Sequence, residues 1–375
     1  MRGLRHLWLI AMATATLTAC GLTGVGVHEL PEPPPAASGS KDILQGPPRR
    51  RLMPGELVLA ATREDFPTVI LERGNFLSAN QAEAEWNDAE AVIGVALGGE
   101  AKAYPVPLLS LVEVVNDVVG RQEIAVTWCP LCFTAIVFDR RVDGQTLTFG
   151  VSGYLYKNNL VMFDHQSETL WSQAIGEALK GAHRGARLSA VPSTFTSLGE
   201  WKAQHPQSLV LSAEGILSAG VEAIDPYSGY YLSGAAGIAG RENEDNRLPT
   251  KTLVVGLVDG EDARAYPVAE VRAAGWVEDT LGGVPVILVY RPETSSVAAF
   301  TRNSSAGRLT FKQDGAAGSV VDFETGSRWD LSSGIAESGP LAGTELAAIN
   351  APMIFWFAWV DLYPHAGVYL SPAES

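Results

Sequence analysis

The chain repeats itself, and the repeat restricts the possible folds more than any other feature of the sequence. Val92-Ile93-Gly94-Val95 through Ala103-Tyr104-Pro105-Val106 returns as Val254-Val255-Gly256-Leu257 through Ala265-Tyr266-Pro267-Val268, at a constant offset of 162. The register then holds: Asp117 and Gly120 meet Asp279 and Gly282, Phe138 meets Phe300, and Leu147-Thr148-Phe149 meets Leu309-Thr310-Phe311. Four residues drop out of the second copy, and at an offset of 158 Asp164, Trp171, Gly176, Gly181, Gly185 and Trp201 meet Asp322, Trp329, Gly334, Gly339, Gly343 and Trp359. Each copy spans roughly 120 residues, the size of one folding domain and too long for a solenoid unit. The pattern reads as a tandem duplication that builds two similar lobes, 55–212 and 213–375.

Local patterns set the expected class. Gly98-Gly99 between the apolar runs Ala91–Leu97 and Ala101–Val106 predicts a β-hairpin. Leu108, Leu111, Val112 and Val115 at helical spacing predict one short helix ending near Asn116-Asp117. Glu123–Trp128, Thr134–Arg140, Thr146–Val151 and Leu160–Phe163 read as strands, with Asp143-Gly144 as a turn. No long β-α-β alternation occurs, so a doubly wound parallel sheet is disfavoured. The expected class is α+β and strand-rich, mainly antiparallel β with a few short helices.

The first residues read as an address. Arg2, Arg5 and His6 precede an apolar run, Leu7–Leu17, too short to cross ~30 Å of hydrocarbon. Leu17-Thr18-Ala19-Cys20 has the pattern of a lipobox, which makes 1–19 a lipoprotein signal peptide and Cys20 the acylated anchor in a lipid bilayer. The alternative is a secreted protein cut after Ala19 with a spare thiol. Residues 20–54, with Pro31, Pro33, Pro34, Pro35, Pro47 and Pro48, read as a Pro-rich tether, and Arg49, Arg50 and Arg51 as a solvated run within it. Gly21 after the cysteine suits the outer membrane, facing the periplasm, if the organism is Gram-negative; otherwise the expected place is the outer face of the cytoplasmic membrane. Either location is the cell envelope. The formal charge of −15, from 27 Lys+Arg against 42 Asp+Glu, has the wrong sign for a nucleic-acid partner.

Chemistry that one copy performs alone should show as residues its twin lacks. Thr127-Trp128-Cys129-Pro130-Leu131-Cys132 stands opposite Val289-Tyr290-Arg291-Pro292-Glu293-Thr294, so only the first copy carries thiols. The four-residue deletion falls opposite Gly150–Asn159, and Asn116, His165 and His205 are answered by Glu278, Phe323 and Tyr363. The reading is one functional and one scaffold lobe, against a background of neutral drift. With Cys20 acylated, Cys129 and Cys132 remain, and a pair two residues apart in an exported protein can cycle between dithiol and disulfide, bind a metal, or staple the chain. A small ring constrains the unfolded chain weakly, which disfavours the staple. For redox use Cys129, placed at a strand end and nearer the surface, is the expected attacking thiol and Cys132 the resolver. No helix N-terminus is predicted there, so His165 or Lys157 must help. For metal use, zinc or copper on Cys129, Cys132 and His165, with His183, His205 or Met162 as further ligands, is the alternative. No cofactor is expected in the redox reading. Trp128, Asn116, Tyr156, Asn158, His165 and Gln173 are the expected lining of the site. Asp164 and Trp171 recur as Asp322 and Trp329, which favours a turn-capping and core role, and the acidic run Glu242–Asp245 reads as a solvated loop. A non-catalytic envelope scaffold is the third reading, and the partner is an unknown envelope protein or a small thiol.

Gly98-Gly99-Glu100-Ala101-Lys102-Ala103-Tyr104-Pro105, Val115-Asn116-Asp117, Thr127–Cys132, Ser152-Gly153-Tyr154-Leu155-Tyr156, Asn159–Asp164 and Leu170-Trp171-Ser172-Gln173 resemble the bacterial family catalogued as domain of unknown function 3179. The resemblance covers about 92 to 211 and resumes from Leu248-Pro249-Thr250-Lys251. It implies membership without implying an activity. Phe133 departs from the smaller residue that relatives often carry after the second cysteine, which would crowd a metal knuckle.

Overall fold

The computed structural model describes residues 57–218, 221–238, 240–292, 296–314 and 319–370. The expected signal peptide, Cys20 and the tether lie outside them. In chain order the elements that matter for the site are β1 (Ala91–Leu97), β2 (Glu100–Pro105), α1 (Val106–Val112), β3 (Val114–Val119), β4 (Gln122–Cys129), β5 (Thr134–Asp139), β6 (Phe149–Tyr156), β7 (Asn159–Asp164), β8 (Leu170–Ser172), β9 (Thr194–Ser197) and α2 (Leu198–Gln204). After the short helix α3 (Ser228–Leu232) come β10 (Leu253–Asp259), β11 (Asp262–Pro267), α4 (Val268–Ala274), β12 (Trp276–Leu281), β13 (Val284–Arg291), β14 (Ser296–Thr301), β15 (Phe311–Asp314), β16 (Ser319–Asp322), β17 (Arg328–Asp330), β18 (Met353–Phe355) and α5 (Trp356–Leu362). The chain is α+β, strand-rich and mainly antiparallel.

Each half lays its strands in the same order. In the first half β9-β1-β2, β5-β4-β3 and β6-β7-β8 form the centres of three sheets; in the second β18-β10-β11, β14-β13-β12 and β15-β16-β17 do so. Residues 57–78 add one strand to each first-half sheet: Phe76–Ser78 to the first, Val69–Ile70 to the second and Leu57–Leu59 to the third. One apolar core runs through both halves, from Val69 to Ala366. The two lobes expected from the repeat therefore share an interior.

The β1/β2 hairpin turns on Gly98 and Gly99, with φ of 55° and 82°. Such a mirror-image turn matches strand twist and needs two positive φ angles. The helix after Pro105 is shorter than its periodicity predicts. It stops at Val112, and Val114 to Asp117, expected at its end, instead belong to β3. Branched side chains at Val112, Val114, Val115, Val118 and Val119 favour the pleated surface over another helical turn. Asp143-Gly144 turns a two-residue hairpin, Arg141–Val142 with Gln145–Thr146, rather than joining the long strands. The Gly150–Asn159 stretch, opposite the four-residue deletion, is most of β6 followed by the tight Lys157-Asn158 turn into β7.

Recurring residues hold recurring joints. Tyr104 donates to Asp117 over 2.6 Å, and Lys102 reaches both oxygens of that carboxylate at 3.0 Å. In the second half Tyr266 and Arg264 meet Asp279 in the same way. Trp171 Nε1 donates to Asp164 over 2.9 Å, and Trp329 Nε1 to Asp322 over 2.8 Å. Each aspartate also accepts a backbone amide three residues on, from Ser167 and Thr325, which is the turn-capping role expected. Gly94 lies under Trp201 and Gly256 under Trp359; a Cβ would sit 2.3 Å and 2.0 Å from the respective rings. Gly94→Ala should therefore cost about 1–3 kcal/mol through overpacking, read as a lower denaturant midpoint with an unchanged slope. A wild-type midpoint would show that the tryptophan is not locked against the strand.

Candidate functional site

The β4 and β5 strands pair in register down to Cys129 opposite Thr134, so the Cys129–Cys132 segment is a tight connection at their end. Cys129 is 2% exposed and Cys132 is fully buried. This corrects the expectation that Cys129 lies nearer the surface. A short turn joining two central strands is covered wherever other elements pack across the sheet end, and here they do. Both cysteines are free thiols.

Burial works to raise the Cys129 thiol above its ordinary range. It is outweighed by the Cys132 side chain and by backbone amides of Cys132, Leu160 and Leu131, so the Cys129 value is lowered. Cys132 moves the other way. Burial, its hydrogen bond to Cys129 and the Cys129 charge push it well above the usual thiol range. The helix N-terminus that such a cysteine often uses is replaced by three amides, two from the turn and one from β7. Leu160 is the second residue of β7, just past the Lys157-Asn158 turn with φ of 51° and 63°. The four residues that the second half lacks thus belong to the hairpin whose tip brings the third amide to the sulfur.

A residue that sequence reasoning missed completes the cluster. Glu113 ends α1 with φ 57° and ψ −32°, in the left-handed half of backbone space. Its carbonyl accepts the Trp128 amide over 2.8 Å, which holds it beside the strand end that carries Cys129. Burial first, and the Cys129 charge second, push the Glu113 carboxyl well above the usual carboxylate range. The equivalent position in the second half is Gly275, with φ 75°. Glycine adopts this conformation without strain, whereas a side chain there costs of order 1–3 kcal/mol. The pairing of Glu113 with Gly275 was visible in the repeat register and is the signal that would have found it.

Two further elements close the site. Phe355 of β18 donates its amide to the Cys132 carbonyl over 2.9 Å, so the second half pins the turn directly. Residues 223–238 and 240–247 cross over it as a strap. Tyr230 donates to the Leu131 carbonyl over 2.9 Å, and Tyr231 meets Phe133 edge-on at 5.4 Å. Lys251, lying 3.4 Å from the centre of the Tyr230 ring, donates to the Tyr230 and Ser233 carbonyls. Burial lowers Lys251 to about 8, and burial raises Tyr230 to about 12. A cavity between the halves, lined by Trp128, Phe133, Phe195, Arg291, Asn350 and Met353, opens next to the turn.

The expected lining residues divide. Trp128 flanks the turn, donates to Ser110 over 3.1 Å and stacks on Phe195. Gln173 lies alongside, donating through Nε2 to Thr127 Oγ1 and the Thr134 carbonyl, each over 3.1 Å. Met162 shares the core of the cysteines. Asn158 and Lys157 instead hold the strap: Asn158 Nδ2 donates to the Gly240 carbonyl and to Asp361, and Lys157 pairs with Glu242. Lys157 is thus not the thiol's helper. The acidic run is correspondingly more than a solvated loop, since the Glu242 and Asn243 amides donate to Asp361 Oδ1 and Asp245 pairs with Arg247. Tyr156 packs with Val161 and Phe163 in a separate cluster on the far face of the hairpin, because alternate strand residues face opposite ways.

Asn116 is a sheet pin. It donates to the Val69 and Phe149 carbonyls and accepts the Phe149 amide over 2.8 Å, and its counterpart Glu278 accepts the Phe311 amide in the same manner over 2.7 Å. His165 bonds Thr68 over 2.9 Å and packs on Phe163. Five residues of strand separate it from Leu160, about 17 Å at the usual rise, so it neither assists the thiol nor joins the cysteines as a ligand. His183 packs near Trp171 and His205 on Trp201. Among the described residues, no three or more His, Cys, Asp and Glu side chains come together as a metal site.

Residues 63–366 match the family described as Protein of unknown function (DUF3179). The chain belongs to this family. Those bounds take in both halves and the strap. No curated protein and no solved structure matches the chain.

The strained glutamate gives a direct test of these contacts. Glu113→Gly should raise stability at neutral pH by about 1 kcal/mol, since it relieves the backbone and removes a buried carboxyl. The sign of the pH effect follows from its raised value. Stability contributed at this position is full below the unfolded value near 4.5 and is lost as pH rises toward the folded one, because the unfolded chain then releases a proton the folded chain keeps. Denaturation of wild type and Glu113→Gln from pH 4 to 8 should show the variant losing less stability as pH rises; parallel curves would mean that Glu113 is not held protonated.

Proposed function

We propose that this protein carries out thiol–disulfide exchange at Cys129 and Cys132 with a disulfide-bearing envelope protein or small thiol compound. The observation that carries the reading is a pair of free, buried thiols two residues apart at one strand end; the surrounding amides lower Cys129 while burial and the Cys129 charge raise Cys132, which favours thiolate at the first and thiol at the second. Cys129 thiolate attacks one sulfur of the partner disulfide, forms a mixed disulfide and expels the other partner sulfur as thiolate. Cys132, its proton passing in net to the first released partner thiolate, attacks Cys129 Sγ, releases the second partner thiolate and closes the Cys129–Cys132 disulfide. Two electrons pass to the partner, and the reverse sequence oxidises it. The strap must lift for either direction to run, and the polar contacts of Tyr230, Lys251, Lys157 and Asn158 are the catches that hold it down.

In this reading the repeat has one working half. The second supplies the Phe355 amide, the walls of the cavity and the anchoring aspartate Asp361. Acylated Cys20 and the tether would keep the unit at a lipid surface of the cell envelope, facing the periplasm where the organism has two membranes.

Full chain bearing Cys20→Ser leaves two thiols to follow. Alkylation of Cys129 should show an inflection below the ordinary thiol value of about 8.5, with Cys132 unreactive, and Tyr230→Ala should speed it by loosening the strap. Mild oxidant should remove both thiols without metal loss, and reductant should restore them. Zinc or copper bound at one per chain and absent from Cys129→Ser would overturn the reading in favour of a thiolate metal site.

A further inference from the structure

Glu113 is the one feature of the cysteine site that exchange as written leaves without a task, although its backbone is held in a strained conformation. The second half shows that the joint between α4 and β12 closes equally well on glycine, so the fold does not require a carboxyl there. The pairing of Val114 with Thr127 and the bond from the Trp128 amide to the Glu113 carbonyl place residue 113 across from Trp128, next to the cysteine turn. Glu113 is only 7% exposed, and among the described residues no cation stands among the groups that shift it. The titratable groups that face it are Cys129 and Cys132 from the turn and Tyr227 from the strap, with Asp225 acting on Tyr227 in turn.

Two negative charges on neighbouring groups in an apolar interior repel strongly, so the carboxyl and the Cys129 thiol together hold one charge and one proton. We propose that Glu113 is the proton carrier of the cysteine pair, receiving the negative charge that Cys129 gives up when it attacks a disulfide. The inference rests on the exchange reading above. The reduced site starts as Cys129 thiolate, Cys132 thiol and Glu113 carboxylic acid. When Cys129 attacks, the first leaving partner thiolate takes the Glu113 proton and departs as a thiol. Glu113, now a carboxylate beside an uncharged mixed disulfide, takes the Cys132 proton. Cys132 thiolate then attacks Cys129 Sγ, and the second partner thiolate takes that proton from Glu113. The products are two partner thiols, the Cys129–Cys132 disulfide and Glu113 carboxylate. Two electrons have moved, two protons have left with the thiols, and the site keeps one negative charge throughout. Glycine at this position would leave Cys132 without an acceptor, which accounts for a strained side chain in this half alone.

The test mixes the reduced full chain bearing Cys20→Ser with a chromogenic aryl disulfide, whose weakly basic thiolates leave unprotonated so that the Glu113 proton passes to water instead, and follows thiolate release in two phases, Cys129 attack and then Cys132 resolution. Wild type should release both in close succession. Glu113→Gln should keep the first phase at neutral pH and slow the second about 100-fold, with the mixed disulfide on Cys129 visible by mass. Its second phase should then climb about tenfold per pH unit, where that of wild type is flatter. Glu113→Gly should melt no lower than wild type and show the same slow second phase, which separates proton transfer from folding. A second phase within twofold of wild type in both variants, with an unchanged pH profile, would overturn the proposal. Absence of any release from wild type would instead remove the exchange reading on which it stands.

Discussion

A sulfur buried under strands and aromatic rings ionises only if hydrogen-bond donors are fixed around it, and the arrangement of this site follows from that requirement. Burial alone disfavours the charged form of Cys129, and in an apolar interior the penalty is large. Side-chain cations would carry their own desolvation cost, so backbone amides that are already dry and rigid are the economical donors. Two come with the turn. The third has to come from another strand, and β7 delivers it because the β6/β7 hairpin is long enough for its tip to reach the turn.

The remaining packing then follows. A hairpin that projects this far must be tied down at its tip, and Lys157 and Asn158 tie it to the strap and to Asp361 of α5. The strap in turn covers the turn with Tyr230 and Tyr231, while Phe355 fixes the Cys132 carbonyl from the other half. The second half is therefore part of the site's wall rather than a separate body. That is also why one apolar core runs through both halves.

Much of this was legible in the residues. The repeat register located the joints, and the recurrence of Asp164 with Trp171 as Asp322 with Trp329 correctly marked a structural pair. The Gly98-Gly99 turn and most strands could be read from local pattern, since turn chemistry and alternation act over a few residues. The helix end was misplaced because a valine-rich stretch satisfies both periods, and the contest was settled by pairing with β4. The lining residues divided along the same line. Gln173 and Trp128 belong to strands adjoining the turn. Asn116, Tyr156 and His165 are near it in the pattern of losses but not in space. A polar residue changed between copies can be a sheet pin exchanged for an equivalent one, as Asn116 and Glu278 show, and strand alternation sends Tyr156 to the opposite face.

The residues alone determined the family, the strand-rich class, the paired joints and the confinement of both thiols to one half, because each depends on local chemistry or on comparing the chain with itself. Tertiary structure decided which groups surround the sulfurs: three amides from two separate segments, a strained Glu113, and a cover drawn from the strap and the second half. Those contacts join residues tens to more than two hundred positions apart. Backbone amides look alike at every position of a sequence, so only packing can say which of them meet a thiol.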